Sequence, residues 1–418
     1  MTTFFFCMAL FFGGLSLNLY YPIYRNPILA AISFLMGWLI GELAIHHIIW
    51  QVALVSLLVF GGAVSGFLGA LGFIICIAAW FGMAYFTLSS HSAKGEMERS
   101  LQRSLKPGYQ AEIDPAFREQ FEPTVDLERI IRPFQMIDQQ VQVIKDVAYG
   151  TFNQKLDIYV SREKRPNRPV LLQIHGGGWT ENMGNKDRQA LPLMNHMALR
   201  NWICVSVDYR LSPTATFPEH IVDCKQGLVW IKQHIREYGG NPDFVVVTGG
   251  SAGGHLCALM ALSQNDPLFQ PGFEDEDTCV QGAVPFYGVY DFTDSRNFQK
   301  HSQQQRWFES SIMKLNRDDH QDEYQQASPL FRVTAHAPPF LIIHGDKDSL
   351  VPVEEARAFA EVLKGVSQNP VVYAEITGAQ HAFDMFPSVH SEHVKHGVER
   401  YLCWLLSRSD QPTPDQAT

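Results

Sequence analysis

The sequence predicts an α/β domain, a mainly parallel sheet with helices on both faces, preceded by an α-helical transmembrane region. Three observations predict it. The first 88 residues carry only two charged side chains, Arg25 and Glu42. From about residue 141, short β-branched runs alternate with helix-period stretches, the pattern of a parallel sheet covered on both faces. Within that alternation lies Val245–Leu262, VVVTGGSAGGHLCALMAL, where a strand pattern gives way to a helix pattern across one glycine-flanked serine.

The apolar block comes first. Phe4–Tyr21 is one apolar stretch, with no basic leader of the kind a cleaved signal peptide carries. Tyr21–Pro27 reads as a turn. A lipid-crossing helix needs about 20 residues. Ile28–Leu88 therefore accommodates three helices, near 28–49, 52–69 and 70–88, or two longer ones broken at Gly61-Gly62. Three spans in total put Arg25 on the same side as Lys94, Arg99, Arg103 and Lys106. That side is then expected to be cytoplasmic, with the soluble domain. Glu42 and His46 are four apart and are expected to share a helix face. They and His47 read as interhelical packing or membrane-edge residues, with a polar intramembrane site as the alternative.

Residues 89–140, with prolines at 107, 115, 123 and 133, read as a partly helical connector. The catalytic domain spans 141–406, and 407–418 is a flexible tail. Val141–Tyr149 and Lys155–Val160 are expected as a half-buried edge hairpin, Val170–Ile174 as a buried strand, and 186–199 as a helix. Trp202–Val207 is a strand and Val222–Glu237 a helix. Phe244–Thr248, Val280–Phe286, Phe340–His344 and Val371–Ile376 are further strands. Val353–Leu363 and 389–406 are helices. Residues 291–335 are polar with interspersed aromatics and form a candidate lid, in which Trp307 and Phe308 are expected to line the pocket.

Gly249-Gly250-Ser251-Ala252-Gly253 fits G-x-S-x-G. A serine on a sharp strand-to-helix turn is pushed into the open, and bulkier neighbours would collide with the turn. The helix behind it aims free N–H groups at the same point. A serine hydroxyl needs a base, and the base needs an orienting acid. His381, in EITGAQHAFD, and Asp348, in HGDKDSLVP, both follow strand ends, where sites of such sheets lie. Asp346 and Asp384 compete for the acid's role; Asp346, directly after Gly345, is better suited to shaping the turn. His344, His336, His390, His393 and His396 read as surface or core residues. HGGGW at 175–179 offers consecutive unhindered N–H groups beside the serine, and the Ala252 N–H completes the set.

HGGGW, DYRLSP at 208–213, GGSAGGHL at 249–256, HGDKDSLVP at 344–352 and GAQHAFD at 378–384 resemble the α/β-hydrolase superfamily, within it the hormone-sensitive-lipase-like esterases and carboxylesterases. The resemblance covers about residues 140–406 and implies the α/β-hydrolase fold. It implies Ser251 as nucleophile, His381 as base and Asp348 as its orienting acid. Gly177, Gly178 and Ala252 would be the oxyanion donors, His175 and Trp179 would support that loop, and Asp208 and Arg210 would brace the loops beneath. Two features depart from the family pattern. The helical cap common before the core is replaced by the connector 89–140, and the membrane block resembles only the membrane-attached carboxylesterases of some bacteria.

The expected activity is hydrolysis of carboxylic esters with short-to-medium acyl groups, through an acyl-enzyme. An amidase or formamidase on the same residues and a long-chain lipase are alternatives, and a catalytically silent membrane binding protein is a remote one. The expected partners are a small ester and, through residues 1–88, the lipid bilayer. Net charge of -10 argues against nucleic acid. No cofactor or metal is expected, because no Gly-Lys-Ser/Thr follows the glycines and no H-E-x-x-H occurs. The seven scattered cysteines read as small buried hydrophobes.

Overall fold

Eight strands form one sheet in the order β1-β2-β4-β3-β5-β6-β7-β8 in the computed structural model, which describes residues 1–409 except 123, 164, 182 and 300–302. The strands are β1 (Val141–Tyr149), β2 (Gln154–Ser161), β3 (Arg168–Ile174), β4 (Ile203–Val207), β5 (Gly240–Gly250), β6 (Gly282–Phe286), β7 (Phe340–Gly345) and β8 (Val371–Ile376). β1, β2 and β4 pair antiparallel, and every pairing from β4 through β8 is parallel. The central strands are Val- and Ile-rich because both faces are covered. Leu172, Val205 and Val247 face one layer with Leu256 and Phe359. Leu171, Cys204 and Val246 face the other with Leu193, Val398 and Leu402.

Two expectations about this domain change. β2 is not half-buried: it lies between β1 and β4, and its polar Asp157 is fully buried. Asp157 is tolerated there because Lys186 Nζ lies 2.9 Å from its carboxylate, and a buried charge needs such a partner. At the other end, residues 407–409 close the helix Val389–Ser409, while the rest of the expected tail, 410–418, lies outside the described residues.

The apolar block folds as α1 (Thr2–Tyr20), α2 (Pro27–Glu42), α3 (Ala44–Phe60) and α4 (Gly66–Ser89). By length and composition two of these are apolar enough to cross a membrane, or three if the bent pair α2 and α3 counts as one span. The expected boundaries shift. The chain breaks at Leu43, and α2 meets α3 at 89°. Glu42 and His46 therefore do not share one helix face. Glu42 turns to the α/β domain, and His46 Nε2 bonds the Ile131 carbonyl at 3.1 Å.

α1, α3 and α4 make the bundle. Thr2 Oγ1 meets Ser65 Oγ at 2.9 Å, and Tyr20 OH donates to the Gly82 carbonyl at 2.6 Å, so α1 and α4 run side by side in the same direction. Small residues allow this approach, since a Cβ on Gly82 would strike Ser16. α3 returns between them, with Phe12 against Trp50 and Trp80 Nε1 donating to Gln51. Tyr20, Leu43 and Ser89 thus end near the α/β domain, and Met1 and Gly61 lie together at the far end.

The connector is more ordered than its composition suggests. α5 (Ser92–Leu105) follows α4 almost without a break. Its buried residues Ala93, Met97, Leu101 and Leu105 recur every fourth position and seat one face on the sheet. A Cβ at Gly397 would collide with Met97, so the contact with the last helix is close. The apolar helices are thereby docked on the domain rather than tethered to it.

Candidate active site

β5 delivers the serine. Ser251 sits at φ 58°, ψ −121°, between the last residue of β5 and the helix Ala252–Leu262. A non-glycine residue in that region is strained and must be held from outside. Here the Ser251 N–H donates to the Phe286 carbonyl at 3.0 Å. Gly249 and Gly253 are required, because a Cβ on either would meet backbone: Gly253 carbonyl and Ile174 carbonyl respectively.

β3 delivers the glycine loop to the same place. Gly177 and Gly178 have φ of +106° and +60°. Among the described residues, the N–H groups of Gly177, Gly178 and Ala252 have no protein acceptor. They are donors without a partner beside a serine, the arrangement that stabilises an oxyanion. His175 holds the loop from below. Its ring stacks on Tyr209 at 4.4 Å, its Nδ1 bonds the Gly176 carbonyl at 2.7 Å, and Tyr209 OH donates to the His175 carbonyl. Asp208 Oδ1 accepts from the Lys186 N–H at 3.2 Å, and Arg210 is fixed by Asp223 at 2.8 Å and Glu219 at 2.6 Å.

β7 and β8 bring Asp348 and His381 together. His381 Nδ1 lies 2.6 Å from Asp348 Oδ2. The ionised carboxylate accepts a hydrogen bond from Nδ1–H, which fixes that tautomer and leaves Nε2 as the unprotonated nitrogen. Asp348 is fully buried, and burial alone would raise its pKa. The neighbouring charge of His381 and bonds from His344 and His381 outweigh this and hold it well below the usual carboxylate range. Its second oxygen accepts the Leu350 and Val351 N–H groups at 2.9 and 2.8 Å. Asp346 instead accepts the Gly378 N–H at 2.6 Å, and Asp384 accepts the hydroxyl of Tyr287, so neither competes for His381.

Ser251, His381, Gly177, Gly178 and Trp179 line one cavity of about 630 Å3. Of the candidate lid, Gln304 and Trp307 reach it. Phe308 does not line it. It is fully buried behind the wall, stacked on Phe292 at 4.3 Å, because the chain changes to a wider helical turn at Phe308–Ile312. Four contributors were not singled out from the sequence. His344 Nε2 is 3.2 Å from Asp348 Oδ2. Tyr287 packs on the His381 ring at 4.6 Å. Gln380 Oε1 accepts the Ser349 and His381 N–H groups. His255 accepts from Trp179 Nε1 at 3.2 Å and bonds the Ala327 carbonyl at 2.7 Å. His255, His344 and Gln380 lie inside the quoted motifs, whereas Tyr287 follows β6 with no motif around it.

Residues 156–363 match the family described as BD-FAE. The probable carboxylic ester hydrolase LipM of Mycobacterium tuberculosis is 50% identical over 265 residues, 62% of this chain and 60% of that protein. Esterase LipQ of the same organism is 45% identical over 267 residues, 63% of this chain and 62% of that protein. The chain thus spans about 60% of the length of these curated relatives. Among solved structures, a truncated carbohydrate esterase from gut microbiota superposes with a TM-score of 0.52 at 18% identity, covering 63% of this chain and 99% of that one. That likeness concerns the fold. The eight-stranded, mainly parallel sheet with helices on both faces is the α/β-hydrolase fold.

Two of the histidines that support the site set a pH limit. Burial pushes His175 and His255 each down to about 4 from 6.5. Between those values the unfolded chain binds protons that the folded chain refuses, so stability is lost as pH falls through the window. Melting of the full chain in one detergent, followed by tryptophan fluorescence, should show Tm falling steadily from pH 7 to pH 4.5. A Tm independent of pH there would contradict the buried neutral assignment.

Proposed function

We propose that the protein is a serine carboxylic-ester hydrolase acting through Ser251, His381 and Asp348. The observation that carries this is the 2.6 Å bond from His381 to Asp348 in the same cavity as a strained, glycine-flanked serine. Ser251 Oγ attacks the ester carbonyl carbon while His381 Nε2 takes the hydroxyl proton. The developing oxyanion is met by the Gly177, Gly178 and Ala252 N–H groups. As the tetrahedral adduct collapses, the C–O bond to the alcohol breaks and His381 returns the proton to the leaving oxygen. Water then attacks the acyl-enzyme with His381 again as base, releasing the acid and restoring Ser251. Asp348 stays ionised and keeps the imidazole in the working tautomer. The esterase names of the mycobacterial relatives agree with this chemistry.

The cavity suits acyl groups of about two to eight carbons, since each buried methylene contributes about 0.8 kcal/mol only while apolar lining lasts. A fluorophosphonate probe should label the wild-type chain and fail to label Ser251→Ala. Asp348→Asn should lower kcat by about 10⁴ with the fold intact. Across p-nitrophenyl esters from acetate to palmitate, at constant detergent, kcat/KM should peak within that range. A peak at twelve carbons or beyond favours a long-chain lipase, and faster turnover of the matching anilide favours an amidase. Absence of labelling in the wild type rules out the serine mechanism.

The chain is further read as a multi-pass membrane protein with its catalytic domain in the cytoplasm. Support comes from the bundle of α1, α3 and α4 and from Arg25, Lys94, Arg99, Arg103 and Lys106, which all fall at its domain end. Protease added to sealed right-side-out cells should spare residues 100–409. Digestion of the domain in those cells would reverse the orientation.

A further inference from the structure

We propose that α2 is the acyl-pocket wall of this hydrolase and its chain-length determinant, so that an apolar acyl chain on Ser251 lies along Phe34 and Trp38. The proposal rests on the ester-hydrolase reading above. Pro27, Ala30, Phe34 and Trp38 recur at helical spacing on one face of α2, and all four line the cavity that holds Ser251, His381, Trp179 and Trp307. The opposite face presents Ile28, Leu29, Ile32 and Leu35, all exposed. A helix apolar on both faces, crossing the bundle at right angles between it and the domain, separates an apolar exterior from the catalytic cavity by its own width.

α2 is held in register by several contacts. Near its start the Ala30 carbonyl accepts from Ser349 Oγ at 3.3 Å, one residue beyond the catalytic acid. At its end the Glu42 carboxylate accepts from Ser388 Oγ at 2.6 Å and bonds His390 Nδ1 at 3.1 Å. Between these, the Phe34 ring stands edge-on to His381 at 5.8 Å, and Trp38 stacks on Phe386 at 5.2 Å. Gly37 brings the backbone close to Gln380, where a Cβ would lie 3.5 Å from its amide nitrogen. The helix therefore follows the loop that carries the base, and its aromatic face lines the open space beside Ser251. The expected lid supplies Trp307 on one side of that space, and α2 supplies the other.

Side-chain size on this face should set acyl length, and size on the outer face should not. The test uses the full chain in detergent as wild type, Phe34→Ala, Ala30→Phe and Ile32→Ala. Each is titrated with the fluorophosphonate probe and assayed on the p-nitrophenyl acyl series and on acetate esters of lengthening alcohols. Ala30→Phe should move the acyl optimum to shorter chains, losing about four-fold in kcat/KM for each methylene displaced. Phe34→Ala should move it to longer chains, and Ile32→Ala should reproduce the wild-type profile. If Ala30→Phe loses labelling by failing to fold, Phe34→Ala decides alone, because it opens space instead of filling it. Uniform loss across the acyl series in both inner-face variants means α2 only supports the fold and overturns the proposal. A shift confined to the alcohol series overturns the acyl assignment. A wild type that does not label overturns the hydrolase reading and this proposal with it, whereas a labelled wild type with unshifted variants overturns only the role of α2.

Discussion

The contact between His381 and Asp348 is the constraint around which the site is arranged. A 2.6 Å bond to a fully buried carboxylate is stable only if that carboxylate stays ionised and its remaining lone pairs are filled. The Leu350 and Val351 N–H groups and His344 do this. With the acid so fixed, His381 has one orientation, and Tyr287, Gln380 and Phe34 pack around it. The strained Ser251 turn and the glycine loop of β3 then face a base already in place. Such preorganisation is what lets hydrogen-bond donors stabilise charge without rearranging during reaction.

The apolar N-terminal helices are coupled to this arrangement at two places. α5 buries four residues against the sheet on the face opposite the helix that follows Ser251. α2 lies along the loop of His381 and is fixed by Glu42, whose partners are Ser388 and His390. Glu42 is thus satisfied by the catalytic domain rather than by another apolar helix. Burial works against protonation of His390, but the Glu42 charge and hydrogen bond prevail and raise its pKa.

The strands and the motif residues were legible because their signals are local. β8 begins and ends where its β-branched run does, and Gly176, Gly177, Gly249 and Gly253 are demanded by backbone clashes that a Cβ would cause. The parts that were not legible depend on distant partners. The break at Leu43 has no proline or glycine at the position itself and follows from α2 docking on loop 378–390. Nothing near Glu42 in sequence points to Ser388. Phe308 and Trp307 are neighbours with equal claim to the pocket, and only the wider turn at Phe308–Ile312 sends one to the cavity and the other to the core. His344 and His255 lie inside the quoted motifs, but only the packed structure shows their partners, Asp348 and Trp179. The connector's order rests on the four-residue recurrence from Ala93 to Leu105, which the surrounding prolines and charges obscured.

The central claim is that one serine, one histidine–aspartate pair and one glycine loop converge on a single reacting atom. A structure of the full chain after reaction with a p-nitrophenyl alkylphosphonate tests this most directly. The phosphorus should be bonded to Ser251 Oγ, with its free oxygen about 2.7–3.1 Å from the Gly177, Gly178 and Ala252 N–H groups and His381 Nε2 turned towards the Ser251 oxygen. An adduct on another residue, or a phosphonyl oxygen pointing away from the glycine loop, would contradict the account.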